Sequence, residues 1–328
     1  MEISKTQILS YFEKFKTKRV LIIGDVMIDS YMWGSVKRIS PEAPIPIVSI
    51  SSREYRMGGA ANVALNIKSL GAEPILCSVL GQDEKGKIFT ELLEQNSMSS
   101  EGLLYLEDRK TTTKTRVISS SQHLLRVDDE LDTEIDKKSS DLLFKKVEEI
   151  IEKQKIDLII FEDYDKGVLS AELISKIVEI AKQKSIFTAV DPKKRNFNSY
   201  NGVDLFKPNF KEFCEGTKSE ISKTDFLEIK KSAKAFLKTY SIKTLLLTLS
   251  EYGVFISDNK NEFHFPAVKR LISDVSGAGD TVISVAGLLL SSGASMAEIA
   301  KISNIAGGLV CEKSGVVPIE IDELQAEF

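Results

Sequence analysis

The sequence predicts an α/β protein with a doubly wound, mostly parallel sheet and helices on both faces. Short apolar segments alternate with amphipathic segments along most of the 328 residues, which is the pattern of repeated βα units. Four apolar segments run directly into polar, charged or glycine residues; they span residues 157–162, 185–190, 205–209 and 244–248. Because parallel strands present their carboxyl ends at one edge of a sheet, we expect these residues to line a common rim where ligands bind.

The first strand is predicted at residues 19–24, and two carboxylates follow it, Asp25 and Asp29. The carboxyl end of a strand is where an open α/β sheet binds its ligand, and carboxylates there suit the hydroxyl groups of a sugar. The alternative is that one of them only caps a turn. We expect at least one of the two to contact the ligand.

Residues 30–56 interrupt the α/β rhythm with two short β segments, which three prolines confine to edges or bends. A second β hairpin is predicted within residues 112–128. Together these segments predict a small β-sheet lid on a single domain that spans residues 1–328. The apolar faces of such a sheet need a partner, so we expect a homodimer formed through the lid.

The predicted hairpin brings together three basic side chains, Lys114, Arg116 and Arg126. Charges at this spacing on a strand most often form a solvated face. The alternative is that they recognise a phosphate group on the substrate. The residues alone leave both interpretations open.

Gly58 and Gly59 precede an amphipathic segment whose first turn contains Asn62. Paired glycines let the backbone approach a ligand closely, and an Asn side chain offers both a donor and an acceptor. A plain strand-to-helix turn explains the glycines equally well. Asn62 favours the ligand interpretation, because a better helix former is expected at that position.

The stretch from Gly277 to Asp280 leads into an apolar segment that predicts a buried helix. The free N–H groups at the start of a helix, together with the helix dipole, attract an anion. A carboxylate beside an anion site is what transfer of a phosphoryl group to a hydroxyl requires. Taken alone, the stretch is better explained as a tight turn with a capping Asp.

The composition excludes several classes of protein. The net charge of −4 and the pI of about 5.6 argue against general binding of nucleic acid or anionic membranes. Three widely spaced cysteines and two histidines disfavour a zinc site or a histidine-based catalytic triad. The first 18 residues are polar and predict a short helix instead of a signal peptide, so we expect a cytoplasmic protein. No GxGxxG follows the first strand, which disfavours a dehydrogenase.

Several motifs together resemble the PfkB (ribokinase-like) family of carbohydrate kinases. One family pattern, a Gly-Gly pair with a nearby Asn and two later glycines, is carried by Gly58, Gly59, Asn62, Gly71 and Gly81. The pattern Asp-x-x-Gly-Ala-Gly-Asp is carried by residues 274–280, and Asn209 and Glu212 match the family's Asn-x-x-Glu motif. The resemblance covers residues 19–315. It implies a ribokinase-like fold and phosphorylation of a sugar hydroxyl with ATP and Mg²⁺.

Within the family the sequence is most similar to the heptose 7-phosphate kinases of lipopolysaccharide-core biosynthesis. The segments that carry this similarity are residues 24–29, 38–46, 58–64, 163–167, 207–212 and 274–281. It implies phosphorylation of O1 of D-glycero-β-D-manno-heptose 7-phosphate. The sequence contains no His-x-Gly-His, so we expect the kinase part alone or a stand-alone enzyme. A kinase for another sugar, such as ribose or fructose, and a sugar- or nucleotide-binding protein without turnover are the alternatives.

The resemblance also implies roles for individual residues. Asp280 is the expected base, and the N–H groups of Gly277, Ala278 and Gly279 are expected to stabilise the transferring phosphoryl group. Asn209 and Glu212 are expected to organise Mg²⁺, largely through water. The residues expected to bind the phosphorylated sugar are Asp25, Asp29, Gly58, Gly59, Asn62, Arg38, Arg126, Asp163 and Lys166. The residues expected to bind the nucleotide are Lys193, Asn209, Phe210, Lys211, Glu212, Thr248, Gly253 and Asn304.

Overall fold

The computed structural model describes residues 4–119 and 122–328. Residues 1–3 of the predicted N-terminal helix and residues 120–121 of the predicted hairpin lie outside the described residues. The strands are β1 (Arg19–Gly24), β2 (Val26–Ile39), β3 (Pro46–Gly59), β4 (Glu73–Gly81), β5 (Leu103–Leu106), β6 (Thr113–Ser119), β7 (Gln122–Asp129), β8 (Leu158–Glu162), β9 (Phe187–Asp191), β10 (Leu205–Phe206), β11 (Thr244–Thr248), β12 (Val254–Ser257) and β13 (Glu262–Phe265). The helices are α1 (Lys5–Phe15), α2 (Ala60–Ser69), α3 (Glu84–Gln95), α4 (Lys137–Lys153), α5 (Ala171–Gln183), α6 (Phe210–Thr217), α7 (Phe226–Thr239), α8 (Ala278–Ser291), α9 (Met296–Val310) and α10 (Ile321–Ala326).

A large sheet has the strand order β13-β12-β11-β10-β9-β8-β1-β4-β5. The strands from β11 to β5 run parallel, and β12 and β13 continue the sheet in antiparallel fashion at one edge. The carboxyl ends of β1, β8, β9 and β10 therefore meet at one rim. The predicted rim of polar residues follows from this parallel order.

The central strand β1 is buried on both faces. Val20 and Ile22 pack into a core with α2, α8 and α9, whereas Leu21 and Ile23 pack into a second core with α4, α5 and α7. A strand covered on both sides has a continuous apolar sequence, which is what residues 19–24 show. The doubly wound fold class is confirmed.

Helix α8 is almost entirely buried, because its sequence is apolar on every side. It packs against β8 and β9, and its N-terminus lies at the rim of the sheet. Gly287 contributes to this packing, since a Cβ there would lie 2.8 Å from the side chain of Leu158. The position of Asp280 in the first turn of α8 is thus fixed by the core beneath it.

A second sheet forms the lid, with the strand order β3-β2-β6-β7. Strands β2 and β3 are each 14 residues long, so they begin in the core and extend well beyond the short segments that the sequence predicts. The prolines do not prevent this, because Pro46 is the first residue of β3 and the other two precede it. The first part of β2 is buried, its middle is half-buried and its last four residues are exposed.

None of the helices in residues 4–119 and 122–328 has both the length and the apolar character needed to cross a membrane.

Candidate active site

Asp280 is the central carboxylate of the site, and both of its oxygens accept hydrogen bonds. Asn62 Nδ2 donates to Oδ2 at 2.6 Å, and the Tyr164 hydroxyl donates to Oδ1 at 2.9 Å. The side chain is only 5% exposed. Burial raises the pKa of Asp280 to about 6; the hydrogen bond from Asn62 acts against this, and the nearby charge of Asp191 adds to it. The carboxylate is therefore held in one orientation from two sides.

The turn before α8 exposes backbone N–H groups beside this carboxylate. Gly277 has a φ of 81°, a left-handed conformation that glycine adopts without strain. Within the described residues, the N–H groups of Gly277, Gly279 and Asp280 have no acceptor, and they lie at the positive end of the helix dipole. The expectation for Ala278 is corrected, because its N–H donates to the carbonyl of Val275 at 3.3 Å.

A buried acidic cluster adjoins the base. Carboxylate oxygens of Glu162, Asp191 and Asp280 all lie within 4.8 Å of one another. Lys207 is the buried counter-ion, with Nζ 2.7 Å from Asp191 Oδ2. Glu162 Oε2 is buried and finds no hydrogen-bond partner among the residues that the structure describes. Burial, together with the charges of Asp191 and Asp280, raises the pKa of Glu162 well above its usual range.

These three carboxylates fit a divalent cation. Mg²⁺ prefers oxygen ligands, and it is usually held by one or two carboxylates together with water and phosphate oxygens. The unpartnered oxygen of Glu162 supplies one such ligand. A cation there would also offset the repulsion among the three carboxylates, which the nearby charges of Lys207 and Lys193 already reduce.

The predicted metal ligands Asn209 and Glu212 have a different direct role in the structure. They form a capping box at the start of α6, in which each side chain bonds the backbone N–H of the other, at 2.9 and 2.8 Å. The second oxygen of Glu212 lies 2.5 Å from Lys193 Nζ. The capping box is compatible with the expected contact with Mg²⁺, which is largely through water, and that contact stays a prediction.

Asp25 holds the loop that follows β8, and its side chain is fully used in that contact. Its two carboxylate oxygens accept hydrogen bonds from the backbone N–H groups of Tyr164, Lys166 and Val168, at 2.9, 3.0 and 3.0 Å. Burial raises the pKa of Asp25, and these three donors act against that rise. We therefore correct the expectation that Asp25 binds sugar hydroxyls, because its acceptor positions serve the loop after β8.

Asp163 begins the same loop, and its side chain also forms hydrogen bonds within the protein. It accepts hydrogen bonds from Asn196 Nδ2 at 3.2 Å, from the Tyr200 hydroxyl at 2.8 Å and from the N–H of Asp165 at 2.9 Å. Burial raises the pKa of Asp163 to about 6, and the charge of Asp25 adds to the rise. The structure thus assigns Asp163 to holding the loop, which corrects its expected contact with the sugar.

Asp29 and the glycine pair face each other across β2 and β3. Arg116 donates to Asp29 Oδ1 at 2.5 Å, and a Cβ at Gly58 would collide with Oδ2 of the same carboxylate. Gly59 has a φ of 61°, and a Cβ there would collide with the carbonyl oxygen of Asp25. Both glycines are therefore required for the close approach of β3 to the strand that carries Asp29.

The three basic residues expected at the sugar phosphate lie in different surroundings. Arg38 is exposed in the outer half of β2, far along the strand from Asp29, and Arg126 is exposed and pairs with Asp128 at 3.0 Å. Lys166 is largely buried, and its Nζ lies 2.7 Å from Glu130. Lys166 lies in the loop that also carries Tyr164, whose hydroxyl bonds Asp280. Arg126 lies opposite Arg116 in the register of β6 and β7. The roles expected for Arg38, Arg126 and Lys166 at the sugar phosphate stay predictions.

The residues expected at the nucleotide cluster around the ends of β10 and β11. Asn209 and Thr248 form a parallel β bridge, and Lys193 Nζ lies 5.3 Å from the centre of the Tyr164 ring. Gly253 has a φ of 84°, and a Cβ there would collide with the carbonyl of Phe265.

Three further residues that were expected to bind the nucleotide lie on α6 and α9, where each makes contacts within the protein. Asn304 donates to the carbonyl of Pro266 at 2.9 Å. Phe210 packs against the second core, and Lys211 is highly exposed and faces Glu215 on its own helix. Phe210 is thus used in packing, and the nucleotide contacts expected for Phe210, Lys211 and Asn304 stay predictions.

Sequence reasoning missed four side chains of the site as functional residues. Glu162, Tyr164, Asp191 and Lys207 all lie at or just after the carboxyl ends of strands β8, β9 and β10. Their position at strand ends was the available signal, because that rim was expected to bind ligand. The rim carries many polar residues, and the order of the parallel strands determines which of them lie together. The sequence alone does not give that order.

The sequence is similar to known proteins over most of its length. The model of the pfkB family carbohydrate kinases matches residues 17–322. The bifunctional protein HldE of Syntrophotalea carbinolica is 36% identical over 321 residues, which is 98% of this chain and 65% of that protein. The bifunctional protein HldE of Sulfurimonas denitrificans is 38% identical over 309 residues, which is 94% of this chain and 64% of that protein. The chain thus spans just under two thirds of the length of these relatives.

Solved structures share the fold at low sequence identity. Phosphofructokinase-2 from Escherichia coli in complex with fructose-6-phosphate has a TM-score of 0.76 at 18% identity, with 94% of this chain and 97% of that chain covered. Arabidopsis thaliana ribokinase complexed with ribose and ATP has a TM-score of 0.71 at 15% identity, with 94% and 98% covered. The match of the family model to nearly the whole chain confirms the resemblance seen in the sequence: the chain belongs to the pfkB family of carbohydrate kinases.

Proposed function

We propose that this protein is an ATP-dependent kinase that phosphorylates O1 of D-glycero-β-D-manno-heptose 7-phosphate to give the 1,7-bisphosphate, a step towards ADP-heptose. The observation that carries the kinase activity is the position of Asp280, a buried carboxylate in the first turn of α8 beside free N–H groups. The heptose substrate is supported by the similarity to the two HldE proteins, of which this chain covers just under two thirds.

In the proposed reaction, Asp280 accepts the proton of the attacking hydroxyl while the bond from the γ-phosphorus of ATP to its bridging oxygen breaks. Asn62 and Tyr164 hold the two carboxylate oxygens, so that the base is oriented before the sugar binds. The N–H groups of Gly277 and Gly279 stabilise the negative charge on the transferring phosphoryl oxygens. Proton transfer is late in such a loose transition state, so the position of the carboxylate matters more than its basicity.

The residues that would hold Mg²⁺ are Glu162 and Asp191, with Asn209 and Glu212 reached through water. When bound, the ion neutralises negative charge on the phosphate groups of ATP. Lys193 and Lys207 lie on the same side of the base and add positive charge there. We place the nucleotide along Thr248, Gly253 and Asn304, because these residues surround the ends of β10 and β11.

We also propose a homodimer through the outer face of the lid. Leu125 and Val127 on β7 have 58% and 49% of their surface exposed, and Ile39 and Ile45 at the tip have 59% and 58%. Apolar side chains that repeat on one face of a sheet favour a partner surface of the same kind. Light scattering at micromolar concentration is expected to give the mass of two chains, and a monomer would count against the dimer. We place the reaction in the cytoplasm, where ATP is available.

The decisive experiment compares acceptors for the purified protein, with ADP release as the readout. Heptose 7-phosphate is expected to give the highest kcat/KM, with fructose 6-phosphate and ribose as the competitors. A higher value for fructose 6-phosphate or ribose would make the protein a different sugar kinase. No ADP release with any acceptor, despite binding of sugar or ATP, would identify a protein without turnover.

A further inference from the structure

Asn66 is a polar side chain in the interior of the protein that the proposed reaction does not use. It lies on α2 one turn after Asn62, and none of its surface is exposed. Val63 and Ile67, its neighbours on the same helix, belong to the apolar core. Burial of an amide costs free energy unless its hydrogen bonds are made. The partners of Asn66 therefore decide what it contributes.

The amide of Asn66 has hydrogen-bond partners on three segments of the chain. Its Oδ1 accepts from the hydroxyl of Thr281 and from the N–H of Ile319, each at 3.0 Å. Its Nδ2 donates to the carbonyl oxygen of Asn62 at 2.8 Å and lies 3.5 Å from Asn62 Oδ1. Asn66 thus joins α2 to the first turn of α8 and to the segment that precedes α10.

These partners fix the orientation of two amides in succession. The backbone N–H of Ile319 can only donate, so the amide oxygen of Asn66 faces it and the amide nitrogen faces Asn62. The Asn62 atom next to that nitrogen is an acceptor, Oδ1, which leaves Asn62 Nδ2 to donate to Asp280. A reversed Asn62 amide would place two donors against each other and an oxygen against the carboxylate.

The same contacts form two cross-links between α2 and α8. Asn62 and Asn66 are one turn apart on α2, and Asp280 and Thr281 are adjacent on α8. Asn62 bonds Asp280 at 2.6 Å, and Asn66 bonds Thr281 at 3.0 Å. Asn66 is therefore anchored on the turn of α8 that carries the base.

We propose that Asn66 is a positioning residue that acts on the base through Asn62. Thr281 and Ile319 hold the Asn66 amide, and that amide holds Asn62 with its donor on Asp280. The inference rests on the proposed function, since it concerns the residue that accepts the proton of the sugar hydroxyl. Asn66 touches neither substrate, because it has no exposed surface.

The test is a double-mutant cycle of Asn66→Ala and Asn62→Ala, with kcat from ADP release as the readout. Asn66→Ala alone is expected to lower kcat about 5- to 30-fold, because one orienting hydrogen bond is lost, and to leave the KM for ATP unchanged. In the Asn62→Ala background the same change is expected to alter kcat by less than about 2-fold, since the amide that Asn66 orients is already absent.

A merely structural residue would lower kcat by the same factor in both backgrounds, and that result overturns the inference. Thr281→Val is the milder variant, because it removes one anchor of Asn66 and keeps the shape of the side chain. It is expected to lower kcat about 2- to 5-fold. Thr188→Val is the matched control, since Thr188 is 3% exposed and its hydroxyl donates to Asp204 Oδ2 at 3.0 Å. Equal kcat in the two threonine variants contradicts the inference.

Crystal structures of Asn66→Ala and Thr281→Val test the inference without turnover. Asn62 Nδ2 is expected to move beyond about 3.5 Å from Asp280 Oδ2, where a hydrogen bond is lost. A retained bond in both variants overturns the positioning role, whether or not the protein is a kinase. ADP release by the wild type judges the kinase activity separately, so an active wild type with Asn62 unmoved in the variants contradicts only the role of Asn66.

Discussion

The hydroxyl group of Tyr164 donates a hydrogen bond to Asp280 Oδ1 at 2.9 Å, opposite the hydrogen bond from Asn62 to Oδ2. Tyr164→Phe is expected to lower kcat about 10-fold, because the carboxylate loses one of its two anchors, and to leave the KM for ATP unchanged. Steady-state kinetics with both substrates check this. Tyr252→Phe is the control, since Tyr252 is 39% exposed and its hydroxyl has no hydrogen bond within the described residues. Wild-type kcat in Tyr164→Phe would show that the contact does not position the base.

Asp280→Asn is expected to lower kcat by roughly 10²–10⁴-fold, the usual contribution of a general base. The size of the side chain is kept, so binding of ATP should survive, and calorimetry can verify that. Asp141→Asn serves as the control, because Asp141 is an exposed residue paired with Lys176. A folded Asp280→Asn protein with near-normal kcat would remove Asp280 from the reaction.

Gly277→Ala is expected to lose both stability and activity. The left-handed φ of 81° costs an alanine about 1–2 kcal/mol, and the new Cβ would lie 3.0 Å from Asn62 Nδ2, the group that orients the base. Gly293→Ala is a matched control, because Gly293 has a φ of 83° and a Cβ there would meet no other atom within 4 Å. Chemical denaturation should show similar losses of stability for both variants, and kinetics should show a loss of kcat for Gly277→Ala alone. Equal kcat in the two variants would contradict the role of the turn.

Glu162→Gln is expected to change how the fold responds to metal. Without Mg²⁺ the variant should melt at or above the temperature of the wild type, with the difference growing as the pH rises, because the raised pKa of Glu162 already favours its neutral form at lower pH. Addition of Mg²⁺ in the absence of nucleotide should raise the melting temperature of the wild type more than that of the variant. Glu152→Gln, in the last turn of α4, is the control. If Mg²⁺ leaves the melting temperature of the wild type unchanged, the acidic cluster binds no cation in the absence of nucleotide.

Most of the fold could be predicted from the sequence, since the pattern of apolar and polar residues within each segment determines most of its strands and helices. Residues 19–24 are apolar without a break because β1 is buried on both faces, and the apolar stretch after Asp280 is a helix buried on every side. The lid was predicted, but its strands are longer than expected. Only the outer half of β2 shows the mixed composition of an exposed strand, whereas its inner half belongs to the core.

Only part of the site could be predicted from the sequence, because the residues that form it come from several strands whose ends are brought together by the fold. The role of Asp280 could be predicted, because the turn and the helix that position it are both formed by neighbouring residues in the sequence. Tyr164 and Glu162 acquire their roles from contacts with Asp280 more than 110 residues later in the chain. Conversely, the Asn209–Glu212 pair resembled a metal motif, although a Ser-, Thr-, Asn- or Asp-initiated x-x-Glu pattern is also the signature of a capping box.

The three backbone bonds that Asp25 accepts have a consequence for the orientation of the base. They tie the backbone of Tyr164 and Lys166 to a buried carboxylate that directly follows β1, and the Tyr164 hydroxyl in turn bonds Asp280. Asp25 therefore contributes to the orientation of the base through the loop after β8, from the end of the central strand.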